Sequence, residues 1–491
     1  MSVAKGKYHI WTVGCQMNQA DSQRVASVLD GLGWEAAPTM DAANLVVLNT
    51  CSVREQPEKR AHGQLSLLRH AKRSREDLLV AMMGCMIGNQ RTIDDLKRRY
   101  PVVDLFFKVE SADILPHFLE ERWTPIAGEG CIDFADLGAP RTIGAGEALP
   151  VLPMPTLNAP MQIMPRPAAR DLHYPGAAEH LAQTRGPTAW LPVVLGCNKV
   201  CSYCIVPSRR GVERSRPLDE LLVEARELVG QGARELTLLG QTVEAYGLDL
   251  PDQRADLGDL MEHLGAIDGL DRIRFMTSYP PHMTDKIIHQ MAAEPKVCEH
   301  VNIPVQHGDD AVLRRMRRGY TIGEYRALIG RLREWWPGIT LSTDVIVGFC
   351  GETDMEFQRL LDLLEEIRFD VVHVAAYSPR PGTLSYKWED DVPLDVKKAR
   401  LHAVEEVQER ISREINATYV GRVEEVLIES RQVGNGQQQW RGRNRANKLV
   451  FFPATRPSEG GAEAAIGPGA LARVRIERSS AWSLQGALAL E

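Results

Sequence analysis

Three cysteines within eight residues, directly after an apolar run, constrain this chain more than any other feature. The segment reads Gly196-Cys197-Asn198-Lys199-Val200-Cys201-Ser202-Tyr203-Cys204, a C-x3-C-x2-C spacing behind the strand candidate Leu191–Leu195. Thiolates are the usual ligands of iron–sulfur clusters. Three on one tight loop hold three irons of a [4Fe-4S] cluster and leave the fourth open to substrate. A structural zinc site normally takes four ligands in two pairs. No fourth Cys or His stands near, and His173 and His180 lie upstream in a loose segment.

The strand before that loop opens a series. Leu191–Leu195, Glu235–Leu239, Arg272–Thr277, Val301–Val305, Thr340–Val347 and Val371–Tyr377 alternate with helical patterns such as Leu218–Val229 and Glu356–Ile367. Six strand–helix repeats predict a full or partial parallel β/α barrel over residues 187–415, with its chemistry at the C-terminal ends of the strands. Residues 1–122 predict a separate parallel α/β domain. Its strands are Tyr8–Val13, Asn44–Asn49 and Asp77–Met83, and its helices Asp21–Leu32 and Gln56–Arg75. Residues 123–186 are punctuated by proline and rich in Ala and Gly, which predicts a linker or insertion. Lys397–Tyr419 reads as a long charged helix. Residues 419–490 read as a small β-barrel. The expected fold class is α/β with this barrel appended.

Cys15, Cys51 and Cys85 each stand at the end of one N-terminal strand candidate. In a parallel sheet successive strand ends open on one edge, so cysteines 36 and 34 residues apart can converge there. Two readings stay open on the residues alone: a second three-thiolate cluster, or three small buried apolar side chains. Cys131, Cys298 and Cys350 are assigned to ordinary packing.

The chain is 44% hydrophobic and 25% charged, ordinary for a soluble protein. No apolar run approaches the roughly 18–20 residues that span a bilayer. The N-terminus lacks a signal-peptide pattern, so a cytoplasmic location without membrane contact is expected. In that compartment nine cysteines do not make a disulfide framework. A net charge of −7 argues against a wholly basic surface but allows a local basic face. Arg441, Arg443 and Arg445 alternate, with Trp440 before them and Lys448 after. On a strand they share one side, which suits RNA phosphate contact with base stacking. A solvated strand face is the alternative. Arg209–Pro217 and Arg314–Arg318 are further basic runs.

C-x3-C-x2-C with Tyr203 before its last cysteine resembles the radical SAM superfamily. Gly14-Cys15-Gln16-Met17-Asn18, Asn49-Thr50-Cys51-Ser52-Val53-Arg54-Glu55 and Gly84-Cys85-Met86 resemble the N-terminal domain of the radical SAM methylthiotransferases. Residues 421–452 resemble a TRAM domain, a small RNA-binding β-barrel. The resemblance implies two [4Fe-4S] clusters. Cys197, Cys201 and Cys204 would hold the one that binds S-adenosylmethionine (SAM); Cys15, Cys51 and Cys85 would hold an auxiliary one. Tyr203, Gly240, Gln241 and Asp344 would line the SAM side, although an Asp after a strand more often caps a turn. Gly240-Gln241-Thr242-Val243 has Thr242 where the family has Asn, His307 replaces a family serine, and Cys350 stands at a usual proline. RNA contact would come from Arg441, Arg443, Arg445 and Lys448.

The implied reaction is methylthiolation at C2 of N6-dimethylallyladenosine beside the tRNA anticodon. A SAM-derived radical would remove the hydrogen, the auxiliary cluster would carry the sulfur, and a second SAM would give the methyl. The implied partners are the tRNA anticodon loop and electron- and sulfur-donor proteins, with the chain a monomer. Alternatives are a sister enzyme acting on threonylcarbamoyl-adenosine or a ribosomal-protein aspartate, and a non-catalytic iron–sulfur RNA-binding protein.

Overall fold

The computed structural model describes residues 6–53, 55–75, 77–88, 90–123, 186–250, 255–434, 437–454 and 466–489. The expected linker, apart from its two ends, and Cys131 lie outside the described residues.

The first layer is a parallel sheet. Strands β1 (Lys7–Thr12), β2 (Glu35–Ala36), β3 (Leu45–Thr50), β4 (Leu79–Gly84) and β5 (Leu105–Phe106) lie in the order β2-β1-β3-β4-β5. Every residue of β3 is buried, as helices on both faces of a parallel sheet require. The helices are α1 (Gln16–Gly31), α2 (Glu55–Ser74), α3 (Gln90–Arg99) and α4 (Ile114–Arg122). Helix α1 begins directly after Cys15, five residues before its expected start at Asp21. Its first turn escaped the sequence pattern because Met17 and Ala20 face another layer. They pack on Leu195 and Leu239 of the barrel.

That unit holds β6 (Thr188–Pro192), β7 (Val194–Leu195), β8 (Arg214–Ser215), β9 (Glu235–Leu239), β10 (Arg272–Met276), β11 (His300–Asn302), β12 (Thr340–Val347) and β13 (Val371–Ala376), of which all but β7 and β8 form the barrel. Two parallel sheets, β6-β9-β10 and β11-β12-β13, meet through the Ile273–Val297 bridge and a Ser278 N–H to Asn302 O bond of 3.2 Å. The result is a six-stranded partial barrel. The strand expected at Leu191–Leu195 is divided: β7 leaves the barrel and pairs antiparallel with β8. The cysteine loop therefore starts and ends on one short ribbon. Helices α5 (Val206–Arg210), α6 (Leu218–Gly230), α7 (Leu257–Gly265), α8 (Asp285–Ala293), α9 (Asp310–Met316), α10 (Ile322–Trp335), α11 (Asp354–Ile367) and α12 (Leu394–Ala417) complete the unit. Capping boxes Thr321/Glu324 and Thr353/Glu356 start α10 and α11.

Strands β14 (Val423–Gly434), β15 (Gln437–Asn444), β16 (Leu449–Pro453), β17 (Leu471–Ser479) and β18 (Leu484–Leu488) close a small barrel in the order β14-β15-β16-β18-β17. Val426, Ile428, Trp440, Val450, Phe452, Val474 and Ile476 fill it. Its β15–β16 turn sits on the strand beginnings of the large barrel. Arg272, first in β10, donates to Arg443 O at 2.8 Å, and Arg274 donates to Asn444 O at 2.7 Å and Arg445 O at 2.8 Å. Thr340, first in β12, donates to Ala446 O at 3.2 Å. Arg445 pairs with Glu299 at 2.8 Å and Lys448 with Asp370 at 2.7 Å, just ahead of β11 and β13. The small barrel thus plugs the end opposite the cysteine loop.

Arg274 is buried and also pairs with Glu235 at 2.9 Å. Breaking a buried pair by removing one partner costs about 3–5 kcal/mol. Arg274→Ala is expected to lose stability on that scale in a denaturant titration. A loss below about 1 kcal/mol would show that the plug contributes little.

Candidate active site: two cysteine triads at one end of the barrel

The Cys197–Cys204 loop is held from several sides. Gly196 has φ +73, and a Cβ there would stand 2.1 Å from Val212 O, so only glycine fits. Cys197 N–H donates to Gly211 O at 3.1 Å, Ser202 N–H to Met316 O at 3.0 Å, and Ser385 N–H to Ser202 O at 2.8 Å. Cys197 Sγ accepts from Lys199 N–H at 3.4 Å and lies 3.8 Å from Thr242 Oγ1. Cys201 Sγ accepts from Arg318 Nη1 at 3.4 Å. Burial pushes the Cys204 thiol up to about 12 and raises that of Cys197. Metal ligation requires thiolates, so loading such a loop releases protons.

Tyr203 packs edge-on against Phe349, which meets Tyr377 and Trp388 in turn; this is an aromatic wall beside the loop. Gly240 follows β9, where a Cβ would stand 3.3 Å from Val194 Cβ. Gln241 is half-buried beside it. Asp344, on β12, accepts from Asn302 Nδ2 at 3.3 Å.

Sequence reasoning gave three neighbours no role at this site. Arg318 is buried and lies over the Tyr279 and Tyr320 rings while reaching Cys201. Lys199 Nζ is 3.2 Å from His282 Nε2. Glu244 is buried in the short turn Val243–Ala245 after β9; its Oε2 accepts from Tyr279 N–H at 3.1 Å, and its Oε1 has no hydrogen-bond partner among the described residues. Burial pushes that carboxyl up to about 7. A buried carboxyl oxygen left over in the turn that follows Thr242, itself 3.8 Å from Cys197 Sγ, suits a ligand that donates a hydrogen bond there. The signal in the sequence was an acidic residue three positions after Gln241.

The N-terminal triad is gathered by sheet register. β1, β3 and β4 are adjacent, and Cys51 and Cys85 directly follow β3 and β4. Cys85 N–H donates to Thr50 O at 2.8 Å, and Ser52 Oγ donates to Cys85 O at 3.0 Å. A Cβ on Gly14 would stand 2.8 Å from Cys51 Cβ and 3.3 Å from its Sγ, which brings the Cys15 loop against Cys51. Burial pushes the Cys85 thiol up to about 11, with Arg210, Cys15 and Cys51 near enough to act on it. Among the described residues no three His, Cys, Asp or Glu are placed to hold a single metal ion. Cluster cysteines bind separate irons and so stand further apart than the ligands of one ion. Two all-thiol sets are the donor chemistry that iron–sulfur clusters take.

The N-terminal sheet docks at the same end of the barrel. Arg210, beyond Cys204, pairs with Asp21 at 2.9 Å; Arg24 pairs with Glu224 at 2.9 Å; and Arg380, after β13, pairs with Glu58 at 2.9 Å. Cys298 and Cys350 are buried in packing. On the small barrel Arg441 and Arg443 flank Glu429 at 3.7 and 3.2 Å, whereas Arg445 and Lys448 are the plug residues. The four do not form one open basic stripe.

Residues 191–364 match the radical SAM superfamily, residues 7–108 the uncharacterized protein family UPF0004, and residues 417–489 the TRAM domain. The tRNA-2-methylthio-N(6)-dimethylallyladenosine synthase of Herpetosiphon aurantiacus is 41% identical, with 92% of both chains covered. The synthase of the same name from Chloroflexus aurantiacus is 40% identical over 98% of this chain and 91% of its own. The structure of the radical S-adenosylmethionine methyltransferase TsrM from Kitasatospora setae, with cobalamin and [4Fe-4S] cluster bound, is similar in fold: TM-score 0.50, 16% identity, 77% of this chain and 73% of that one. Among the described residues no helix is long and apolar enough to cross a membrane. With about 40% identity along nearly its whole length, the chain belongs to the tRNA-2-methylthio-N(6)-dimethylallyladenosine synthase family of radical SAM proteins.

Proposed function

We propose that this chain methylthiolates C2 of N6-dimethylallyladenosine in the anticodon loop of tRNA. The observation that carries the reading is the pair of cysteine triads gathered at one end of the barrel by residues of both layers. Cys197, Cys201 and Cys204 would hold the cluster that binds SAM, and Cys15, Cys51 and Cys85 a second [4Fe-4S] cluster. When bound, these groups supply a carbon radical able to take hydrogen from an inert C–H bond, together with the sulfur to be transferred.

The chain's own residues prepare the ground. Thr242 and Glu244 would receive the polar end of SAM beside Gly240 and Gln241, with Asp344 across the barrel. The Tyr203 and Phe349 rings back the loop on one side and would help to shield a reactive radical there. Residues 1–122 would serve sulfur transfer, 187–415 SAM cleavage and 419–490 RNA contact. A target base in a single-stranded loop needs no duplex opening. Electrons and replacement sulfur would come from donor proteins.

Reconstituted protein is expected to hold about eight irons, falling to about four when Cys197, Cys201 and Cys204 become Ala. Replacing Cys15, Cys51 and Cys85 should leave 5′-deoxyadenosine formation while abolishing the methylthio nucleoside. Mass analysis of tRNA nucleosides reads both arms. Product on threonylcarbamoyl-adenosine instead would move the chain to the sister activity, and no SAM cleavage by wild type would sink the enzyme reading.

For RNA contact the plug residues are less suited than β17, whose exposed face carries Arg473, Arg475 and Arg478 near the exposed Trp482. Each phosphate contact removed lowers the salt slope of binding by about 1. Arg473→Ala with Arg475→Ala should weaken tRNA binding and reduce that slope by about 2. An unchanged slope would return the role to Arg441 and Arg443.

Glu244 supplies a pH test. A carboxyl raised to about 7 holds its proton more tightly folded than unfolded, so it costs stability as pH rises from its unfolded value through 7. Metal-free Glu244→Gln should therefore gain stability relative to wild type between about pH 5 and 7.5. A difference independent of pH would show Glu244 to be ionised and paired.

A further inference from the structure

Arg210 belongs to the loop of one triad and touches the scaffold of the other. It ends the short helix α5, which starts two residues after Cys204. Gly211 turns the chain there at φ +78, and its carbonyl receives Cys197 N–H at 3.1 Å. The base of this side chain is therefore fixed to the Cys197–Cys204 loop at both ends. Its guanidinium crosses to α1, where Nη2 donates to Asn18 Oδ1 at 2.8 Å and to Asp21 Oδ2 at 2.9 Å.

Asn18 is a hub. Its Nδ2 donates to Val13 O at 2.8 Å and Thr50 O at 3.0 Å, the carbonyls just ahead of Gly14-Cys15 and of Cys51. Thr50 O also receives Cys85 N–H at 2.8 Å. Asn18 N–H donates to Cys15 O at 3.0 Å, and Asn49 Nδ2 donates to Asn18 O at 2.6 Å. All three N-terminal cysteine turns are thus tied to one side chain, and Arg210 orients that side chain.

We propose that Arg210 is a positioning residue that fixes the two cysteine triads against each other and sets the charge felt by the N-terminal one. This rests on the reading that Cys15, Cys51 and Cys85 hold a cluster. Arg210 lies close enough to Cys85 and Cys15 for their charges to interact, and Asp21 also acts on Cys85 with the opposite sign. Docking of the two layers does not depend on Arg210 alone. The buried set Arg24–Glu224–Arg216, at 2.9 and 2.6 Å, and the Met17/Ala20 contact are separate.

Reduction adds negative charge to a cluster, so a nearby cation favours the reduced form and an anion disfavours it. The test is an EPR-monitored redox titration of the reconstituted full-length protein. The signal that SAM leaves unchanged reports the N-terminal cluster. Arg210→Met should lower that potential and Asp21→Asn should raise it, while the double variant should lie between. A merely structural role would move both single variants the same way. The second readout is 5′-deoxyadenosine formed per methylthio nucleoside. It should rise several-fold in Arg210→Met and in the double variant, and be partly restored by Arg210→Lys. If Arg210→Met folds poorly, Arg210→Lys and Asp21→Asn still carry the two readouts. About eight irons with unmoved potentials and an unmoved ratio would overturn the inference. About four irons in wild type would overturn the two-cluster reading beneath it.

Discussion

A seam of buried charge joins the N-terminal sheet to the β/α barrel, and the site exists only while that seam is closed. Glu224 lies between Arg24 from the sheet layer and Arg216 from the barrel, and Arg210 meets Asp21 nearby. Burial opposes ionisation of Glu224, yet its two arginines hold the carboxyl below its ordinary value. A seam of this kind adds little net stability over an apolar contact of the same volume. Its effect is on register. An apolar face can slide, whereas a carboxylate that leaves two guanidiniums strands three charges in a dry interface. The two triads come from layers with separate cores, so their separation depends on docking in one register.

The same end-to-end logic divides the barrel. Parallel strands put all their C-terminal ends on one side, and the cysteine loop, the Glu244 turn and the sheet layer are there. Their beginnings are on the other side, covered by the β15–β16 turn. The eight residues of β12 span about 26 Å at roughly 3.3 Å per residue. An RNA that touches both ends must therefore run along the flank of the barrel. The small barrel would then grip the RNA at a distance from the reacting base, and the base itself would be read by the cysteine end.

The parts legible in the sequence are those whose signal is local. Cys197, Cys201 and Cys204 announce themselves by spacing, whereas Cys15, Cys51 and Cys85 were legible only as strand-end residues whose joint role the residues alone left open. β9 matches its expected bounds as a continuous buried run, and β12 matches although Asp344 and Ile346 within it are half-buried. Whatever depends on a distant partner was hidden. Arg445 and Lys448 read as an RNA stripe because their carboxylates, Glu299 and Asp370, lie far away in sequence. The first turn of α1 was missed because Met17 and Ala20 answer to the barrel, not to their own layer. Asn18 and Arg318 stand in segments the sequence singled out, and Glu244 in none, but the contacts that give each of them a place at the site come only from the fold.

Two of the three positions at which the chain departs from the family pattern it resembles, His307 and Cys350, meet in space. His307 is fully buried; its Nδ1 accepts from Asp309 N–H at 3.1 Å, and its Nε2 stands 3.6 Å from Glu352 Oε2. Glu352 also accepts from Arg400 at 3.0 Å and from Phe349 N–H at 3.0 Å. Cys350 follows Phe349 and shares its cluster with Tyr377. Both departures therefore sit around the turn that carries Phe349, whose ring backs Tyr203 at the cysteine loop. A proline at 350 would restrict the preceding Phe349 by its own ring, whereas cysteine leaves that turn to be fixed by other bonds. Glu352 provides one of them, through the Phe349 N–H. His307 Nε2 stands 3.6 Å from the same carboxylate. The wall behind Tyr203 is thus kept in place by a buried polar set, Glu352 with Arg400, at the turn that carries Cys350.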